Sequence, residues 1–388
     1  MVPLATFKGL QLTVKYGISE YTPPILAMVG LLLVAVLKDY KGAKDYAEKA
    51  LALLKEPNCR QSESRTNFIV HAFIMHWVSP IEVSVKGFLD GYYMGIATGD
   101  TENASWNKYF YLDTIVMTRR GYLKDIIDDF ENDVYQMVEW NQLKPSSHTR
   151  ILWQVVLNLM GRSENTVILT GKAMDQEKLL QESLENQNDQ IRLSISCNRL
   201  YVAFIFDQYE IAMEQLEEWN MHKGYLQKAM PGPFVLTRHY FHCALTCISM
   251  AQKTKKRKYR KMARSFARAI EEWVDKGNPN VRHYDELLKA EFASLDGKGS
   301  RAERHYERAI VLCGRRGMRN IWALAHQRRG EFHLREGNDD DALYDINNAI
   351  RLYGDWGATA KAEQLKEKHG KLLGHLSEME VTHFSMGR

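Results

Sequence analysis

Residues 330–354, GEFHLREGNDDDALYDINNAIRLYG, can be laid on residues 286–314, ELLKAEFASLDGKGSRAERHYERAIVLCG, by aligning Ala342 with Ala302. Everything else then falls into register. Seven residues on stand Ala349 and Ala309, each opening the pattern Ala-Ile-x-Leu, and twelve residues on stand Gly354 and Gly314. The same ruler fits Ala43 and Ala50 in DYKGAKDYAEKALALL, and Ala212, Trp219 and Gly224 in DQYEIAMEQLEEWNMHKG. A polar turn (KDYKG, FDQYE, DGKGS, EGNDD) precedes each first anchor.

Small residues seven apart lie on one helix face and let a second helix approach closely, while the large residue between them (Ile346, Tyr306, Leu216) fills the groove. The glycine twelve after the first alanine is expected to end the helix as a left-handed C-cap. This is the grammar of tetratricopeptide-type helical hairpins, with Gly330 at the small position of the first helix. The last two units are offset by 40 residues. An ideal repeat takes about 34, so these are lengthened relatives.

Composition agrees with a helical protein. The chain has 388 residues, 45% hydrophobic and 26% charged, which excludes disordered, collagen-like and disulfide-scaffold classes. Leu, Ala, Glu and Lys are spread throughout, with few Val/Ile/Thr alternations, so the fold class expected is all-α: a tetratricopeptide-like solenoid, or superhelix, over residues 1–373. Residues 374–388 lack periodicity and read as a disordered tail. The most apolar stretch, Ile25–Leu37, is shorter than the about twenty residues a spanning helix needs and reads as a buried helix. Five cysteines without framework spacing and no signal peptide at the start point to a reducing, cytoplasmic setting.

Further helices are expected over 66–78 and 81–97 (closed by Gly99), 101–119 and 123–142 (around Gly121), and 146–160, with Ser146 as N-cap. The glycine-bounded stretch 161–175 reads as a loop that leaves the stack. Helices over 174–184, 193–206 and 209–221 follow, then a sharp connection at 231–233 (PGP) and helices over 237–251 and 258–276. Asp339, Asp340 and Asp341 meet the positive end of the next helix dipole.

No chemistry-bearing motif emerges. Gly171-Lys172 fails as a phosphate-binding loop because Thr166 stands where glycine is required and Ala173 where a magnesium-binding hydroxyl is required. His239, His242, Cys243 and Cys247 share a helix, but one straight helix cannot wrap a tetrahedral ligand set around zinc, so they read as packing residues of an inner helix. No catalytic residue, cofactor or metal is therefore expected. The one charge asymmetry is 253–268, with nine basic residues and no acid, including Lys255, Lys256, Arg257, Lys258, Arg260 and Lys261. Outside it the chain carries 43 basic and 48 acidic residues. It reads as a solvated helix face whose inner stripe is Met262, Phe266, Ala269, Ile270 and Trp273. The alternative is a nucleic-acid patch or nuclear-import signal.

The segment IRLYGDWGATAKAEQLKEKHG (350–370) resembles the close of the long helical region in large multidomain signalling proteins that carry a predictive ATPase of the AAA/STAND type. Its specific part is Trp356-Gly357-Ala358-Thr359-Ala360-Lys361 after a "RLY" helix. VKYGISEYTPPILAMVGLLL (14–33), VVLNLMGRSENTVILTG (155–171) and FDQYEIAME (206–214) match the same region in order. In those proteins a serine/threonine-kinase-like domain and the ATPase precede the region, and sensor and histidine-kinase modules follow. The resemblance spans roughly residues 10–373. It implies a helical scaffold that binds protein and regulates neighbouring domains, a fragment or stand-alone relative of that region. The family's kinase and ATPase motifs are absent, so none of its catalytic residues maps here. Candidate groove residues on first helices are His239, Tyr240, His326, Arg329 and His333. A peptide segment or an adjacent signalling domain is the expected partner, with no membrane span.

Overall fold

Five glycines spaced 20 residues apart, Gly277, Gly297, Gly317, Gly337 and Gly357, all adopt positive φ between 65° and 100°. Each closes one helix, because only glycine takes the left-handed C-cap without a steric penalty. They set the length of the helices in the computed structural model, which describes residues 2–118, 122–229 and 232–374. Among the described residues eighteen α-helices follow in order: α1 (Val2–Tyr16), α2 (Thr22–Leu32), α3 (Tyr40–Leu53), α4 (Glu63–Phe73), α5 (Val83–Thr98), α6 (Thr101–Met117), α7 (Leu123–Glu139), α8 (Leu143–Leu159) and α9 (Gln176–Glu185). Then come α10 (Asp189–Ile205), α11 (Tyr209–Ala229), α12 (Phe234–Thr254), α13 (Arg257–Asp275), α14 (Arg282–Leu295), α15 (Gly299–Arg316), α16 (Arg319–Glu336), α17 (Asp339–Trp356) and α18 (Thr359–Lys368). No strand occurs among the described residues, so the protein is all-α.

Most helices pack on their chain neighbours: α2 on α3, α10 on α11, α12 on α13, α14 on α15 and α16 on α17. A second set of contacts runs through the even-numbered helices in chain order, from α2 to α4, α6, α8, α10, α12 and α14. The division shows in the burial. In α13 one face is covered (Ala263, Phe266, Ile270, Trp273), whereas in α12 nearly every residue from Thr237 to Ala251 is buried. Helices apolar along one stripe form an outer layer, and helices buried all round form the inner one.

The alanine anchors sit where close approach demands them. Ala43, Ala50, Ala212, Ala302, Ala309, Ala342 and Ala349 are all fully buried, and Ile346, Tyr306 and Leu216 between them are too. A Cβ on Gly330 would come within 2.9 Å of Ile346 Cδ1, which explains the small residue on the first helix. The 40-residue register extends to side-chain pairing. Glu286 meets His305 at 2.7 Å, and 40 residues on, with the polarity exchanged, His326 meets Asp345 at 2.7 Å.

Several expectations need correction. Gly314 and Gly354 are not C-caps: they lie inside α15 and α17, whose caps are Gly317 and Gly357 three residues later. Each helix runs on for just under one more turn, and Gly314 instead lets the Trp322 ring approach to 3.3 Å of where a Cβ would stand. Gly224 lies within α11, which continues to Ala229. Ser146 is not an N-cap, since α8 begins at Leu143 and the Ser146 amide already donates to the Gln142 carbonyl. Residues 161–175 are irregular but do not leave the stack. Asn158 of α8 donates to the carbonyls of Thr166 (3.1 Å) and Ile168 (2.8 Å), Gln154 accepts from the Ala173 amide, and Val167 and Leu169 are buried. The stretch 25–37 is only partly buried: α2 passes into a π-helical turn at Leu33–Leu37, ended by Lys38 in the left-handed region, and Val36 and Leu37 are exposed. Gly121 and residues 375–388 lie outside the described residues, as does Pro231 of the PGP connection.

The largest departure from the expected open array is that its second half docks on its first. Inner helices end against the later part of the chain, where their C-terminal carbonyls need donors. Residues roughly 160–240 positions later supply them. Asn280 donates to the His76 and Ser79 carbonyls beyond α4, at 2.7 and 2.8 Å. Trp356 Nε1 donates to the Val116 carbonyl of α6 (3.3 Å), the Thr359 hydroxyl to Met160 at the end of α8 (2.7 Å), and Gln364 to Phe206 at the end of α10 (3.3 Å). The six residues 356–361 are thus a docking strip. Gly357 lies so close to Leu123 that an added Cβ would stand 3.1 Å from the leucine Cβ, Ala358 is fully buried, and Lys361 reaches Asp207.

Candidate functional site

Asp345 organises the site. It stands on α17, three residues after the anchor Ala342, and is 1% exposed. Its carboxylate accepts from Arg329 Nε (2.6 Å) and Nη2 (2.8 Å), a bidentate pair, and from His326 Nδ1 (2.7 Å). Burial alone would raise its pKa, but the hydrogen bonds from His326 and Arg329 outweigh that and hold the carboxyl below the usual carboxylate range. Arg329 also faces Glu303 of α15 at 3.4 Å, and His333 Nε2 stands 3.4 Å from Glu303 and 3.8 Å from Asp345. Burial raises the Glu303 carboxyl, with His333 and Arg329 opposing.

The sequence candidates His326, Arg329 and His333 are therefore brought together, on successive turns of α16. His326 is buried beneath the ion pair, while Arg329 and His333 line an open cavity of about 680 Å³ between α15, α16 and α17. Each helix contributes a set at i, i+3 or i+4 spacing: Glu303 and Glu307, then Arg329, Phe332, His333 and Glu336, then Asp341, Tyr344 and Asp345. Phe332 is buried and Tyr344 is 63% exposed. Glu303, Asp345 and Tyr344 were not legible as site residues, because they sit on helices read as the second of each pair. The signal that could have found Asp345 is the 40-residue relation between the pairs 286/305 and 326/345.

His239 and Tyr240 are not part of this site. His239 is buried against the Trp219 ring, 3.3 Å from Cys243 Sγ, and Tyr240 is half-buried among Trp219, Phe266 and Trp273. Burial pushes the pKa of both His239 and His242 down to about 3. Among the described residues no group of three or more His, Cys, Asp and Glu could hold a metal ion.

Where an array of hairpins would leave a groove along its inner helices, this structure holds buried polar contacts. Asp113 of α6 accepts from Arg238 of α12 at 3.2 Å, both buried. Glu291 of α14, fully buried, takes both Arg328 Nε and Nη2 at 2.7 Å and the Tyr306 hydroxyl at 2.9 Å. Lys368 bridges Asp207 and Glu331, at 2.8 Å each.

The basic run is mostly solvated. Lys255, Lys256, Arg257, Lys258 and Lys261 are exposed, Lys253 pairs with Glu210 and half-buried Arg260 with Asp296, and Met262 and Ala269 join the stripe turned to the core. No helix among the described residues is long and apolar enough to cross a membrane. No protein-family model matches the chain, and no curated protein is significantly similar to it.

Proposed function

We propose that the chain is a tetratricopeptide-like helical-repeat scaffold, non-catalytic, that binds protein and regulates signalling domains. The observation carrying this reading is the two-layer register: hairpins anchored on buried alanines seven apart, with the inner helices packed in chain order. Arrays built this way work as binding surfaces rather than as reaction centres. The resemblance of residues 14–33, 155–171, 206–214 and 350–370 to the helical region of predictive-ATPase signalling proteins supports reading it as a relative of the region that lies, in those proteins, between the ATPase and the sensor or histidine-kinase domains. Because the inner face is filled, the binding surface is the cavity between α15, α16 and α17.

The test is to mix the purified chain with the isolated ATPase domain of the resembled proteins, measuring association by calorimetry together with the nucleotide hydrolysis rate. Binding that changes the rate supports the reading. No association with that domain, and no protein partner in a pull-down, refutes it.

A second reading rests on the exposed face of α13, where Arg257, Lys261, Arg264 and Arg268 repeat at spacings of four, three and four. It predicts heparin retention that falls steeply with salt and is lost when these residues are neutralised. It is the weaker reading because α13 presents no row of exposed aromatics for bases to stack on.

A further inference from the structure

The cavity between α15, α16 and α17 carries an excess of negative charge that its own cations do not offset. Five carboxylates line it (Glu303, Glu307, Glu336, Asp341 and Asp345) against one guanidinium, Arg329. Asp345 is fully engaged by Arg329 and His326, whereas Glu307, Glu336 and Asp341 are exposed at the rim. Acids alone would be a solvated surface. Two features set this cavity apart. His333, 6% exposed, is part of its lining, and its Nδ1 has no hydrogen-bond partner although Nε2 faces Glu303. Tyr344, by contrast, stands 63% exposed beside the carboxylates, with buried Phe332 in the same lining.

An aromatic face next to carboxylates suits an alkyl-ammonium or guanidinium group: the ring quadrupole attracts the cation, the carboxylates pair with it, and the alkyl stem covers the ring. The volume, about 680 Å³, gives room for a short stretch of chain around such a side chain. We infer that this cavity binds a lysine- or arginine-bearing segment of a partner protein, with Tyr344 against the cationic side chain and Glu307, Glu336 and Asp341 pairing with its charge. The inference rests on the scaffold reading above and names the chemistry of the partner. Overall charge does not predict it: the chain is net +4, so a non-specific field would favour acidic peptides.

The experiment titrates the full chain into labelled lysine-rich and glutamate-rich peptides of equal length, followed by fluorescence anisotropy at low and high salt. The wild type should bind the lysine-rich peptide, more weakly at high salt, and not the glutamate-rich one. Combining Glu307→Gln, Glu336→Gln and Asp341→Asn should weaken binding by about tenfold or more, and Tyr344→Ala severalfold. All four positions are exposed, so circular dichroism should show the fold unchanged. Equal binding of the lysine-rich peptide by wild type and the triple variant overturns the inference, as does preference for the glutamate-rich peptide or no binding at all. Association with the ATPase domain, measured in parallel, separates the two readings. If the domain binds but the lysine-rich peptide does not, the cation inference falls and the scaffold remains. If neither binds, the cation inference falls, and the scaffold falls with it when a pull-down also recovers no protein partner.

Discussion

Replacing Trp356 by alanine tests whether the docking strip holds the two halves of the chain together. The side chain is 1% exposed, among the largest fully buried ones, and its indole N–H donates to the Val116 carbonyl 240 residues away. Truncating a buried Trp costs about 3–5 kcal/mol in lost transfer energy and residual cavity. Part of that range already includes the carbonyl left without its donor, so a total near 4 kcal/mol is expected. Because the contact joins α17 to α6, the loss should appear first as local opening. Each 1.4 kcal/mol is tenfold, so amides near the ends of α6 and α17 should lose about a thousandfold in hydrogen-exchange protection, while α3 and α5 change far less.

Gly357→Ala attacks the same contact by another route. It forces an L residue to φ near 100° and sets its Cβ 3.1 Å from that of Leu123. If both substitutions release one strip, their combined cost falls short of the sum. Hydrogen exchange read by mass spectrometry, with urea midpoints for the two single variants and the double, measures this. A loss under tenfold at α6, equal acceleration across all helices, or full additivity would refute the docking argument.

Removing one member of the buried Glu291–Arg328 pair, as in Arg328→Met, should cost about 3–5 kcal/mol in urea denaturation, because the carboxylate is left buried and unpaired; Glu291→Leu combined with Arg328→Met should recover much of it. Ala349→Leu, at a fully buried close-approach position, should cost about 1–3 kcal/mol by overpacking, and an exposed control, Asn347→Leu, far less. Acid should destabilise the fold early. Burial lowers His71 and His148 to about 4 and His76, His239, His242 and His283 to about 3, so between these values and about 6.5 the unfolded chain binds protons that the folded chain does not. Stability is therefore complete above pH 6.5 and falls as pH drops, by up to about 1.4 kcal/mol per pH unit for each histidine. Thermal melts from pH 7.5 to 4.5 check this, and a flat profile contradicts it.

The all-helical fold was legible because its signals are local. Alanines seven apart specify a helix face, and Pro80, Gly99 and the polar turns mark boundaries within a few residues. The caps at Gly317 and Gly357 were misplaced by three residues because Gly314 and Gly354 recur with the same 40-residue spacing, and period alone cannot tell a cap from a close-approach glycine. The docking of the halves was not legible at all. It pairs residues such as Trp356 and Val116 through single hydrogen bonds, and no periodicity reports a donor meeting a distant helix end. The site was half legible for a related reason. Polar residues on α16 stood out in sequence, but α16 is an inner helix, so His326 is consumed by Asp345 and only Arg329 and His333 reach the cavity. An inner helix carrying Asn320, His326, Gln327, Arg328 and Glu331 defeats hydrophobic patterning, because its burial is made tolerable by ion pairs that only the assembled structure supplies.

The docking also separates this chain from an ordinary linear array, in which each repeat touches only its neighbours and truncation leaves the remainder folded. Here a cut after residue 277 removes Asn280, Trp356, Thr359 and Gln364, the donors to the ends of α4, α6, α8 and α10. The freed carbonyls could turn to water, so their loss alone is tolerable. The apolar surface beneath them cannot. Ile81, packed with Met318, Leu123, under Gly357, and Phe241 of α12, stacked on Tyr284 at 4.2 Å, would all lose that cover. Fragment 1–277 should accordingly bind a hydrophobic dye and lose cooperative unfolding, where a linear array of the same length would keep both a clean transition and a dark dye. A cooperative fragment melting near the intact chain would mean that the hairpins are stabilised by their neighbours alone, and that the strip at 356–361 rests on a surface already complete without it.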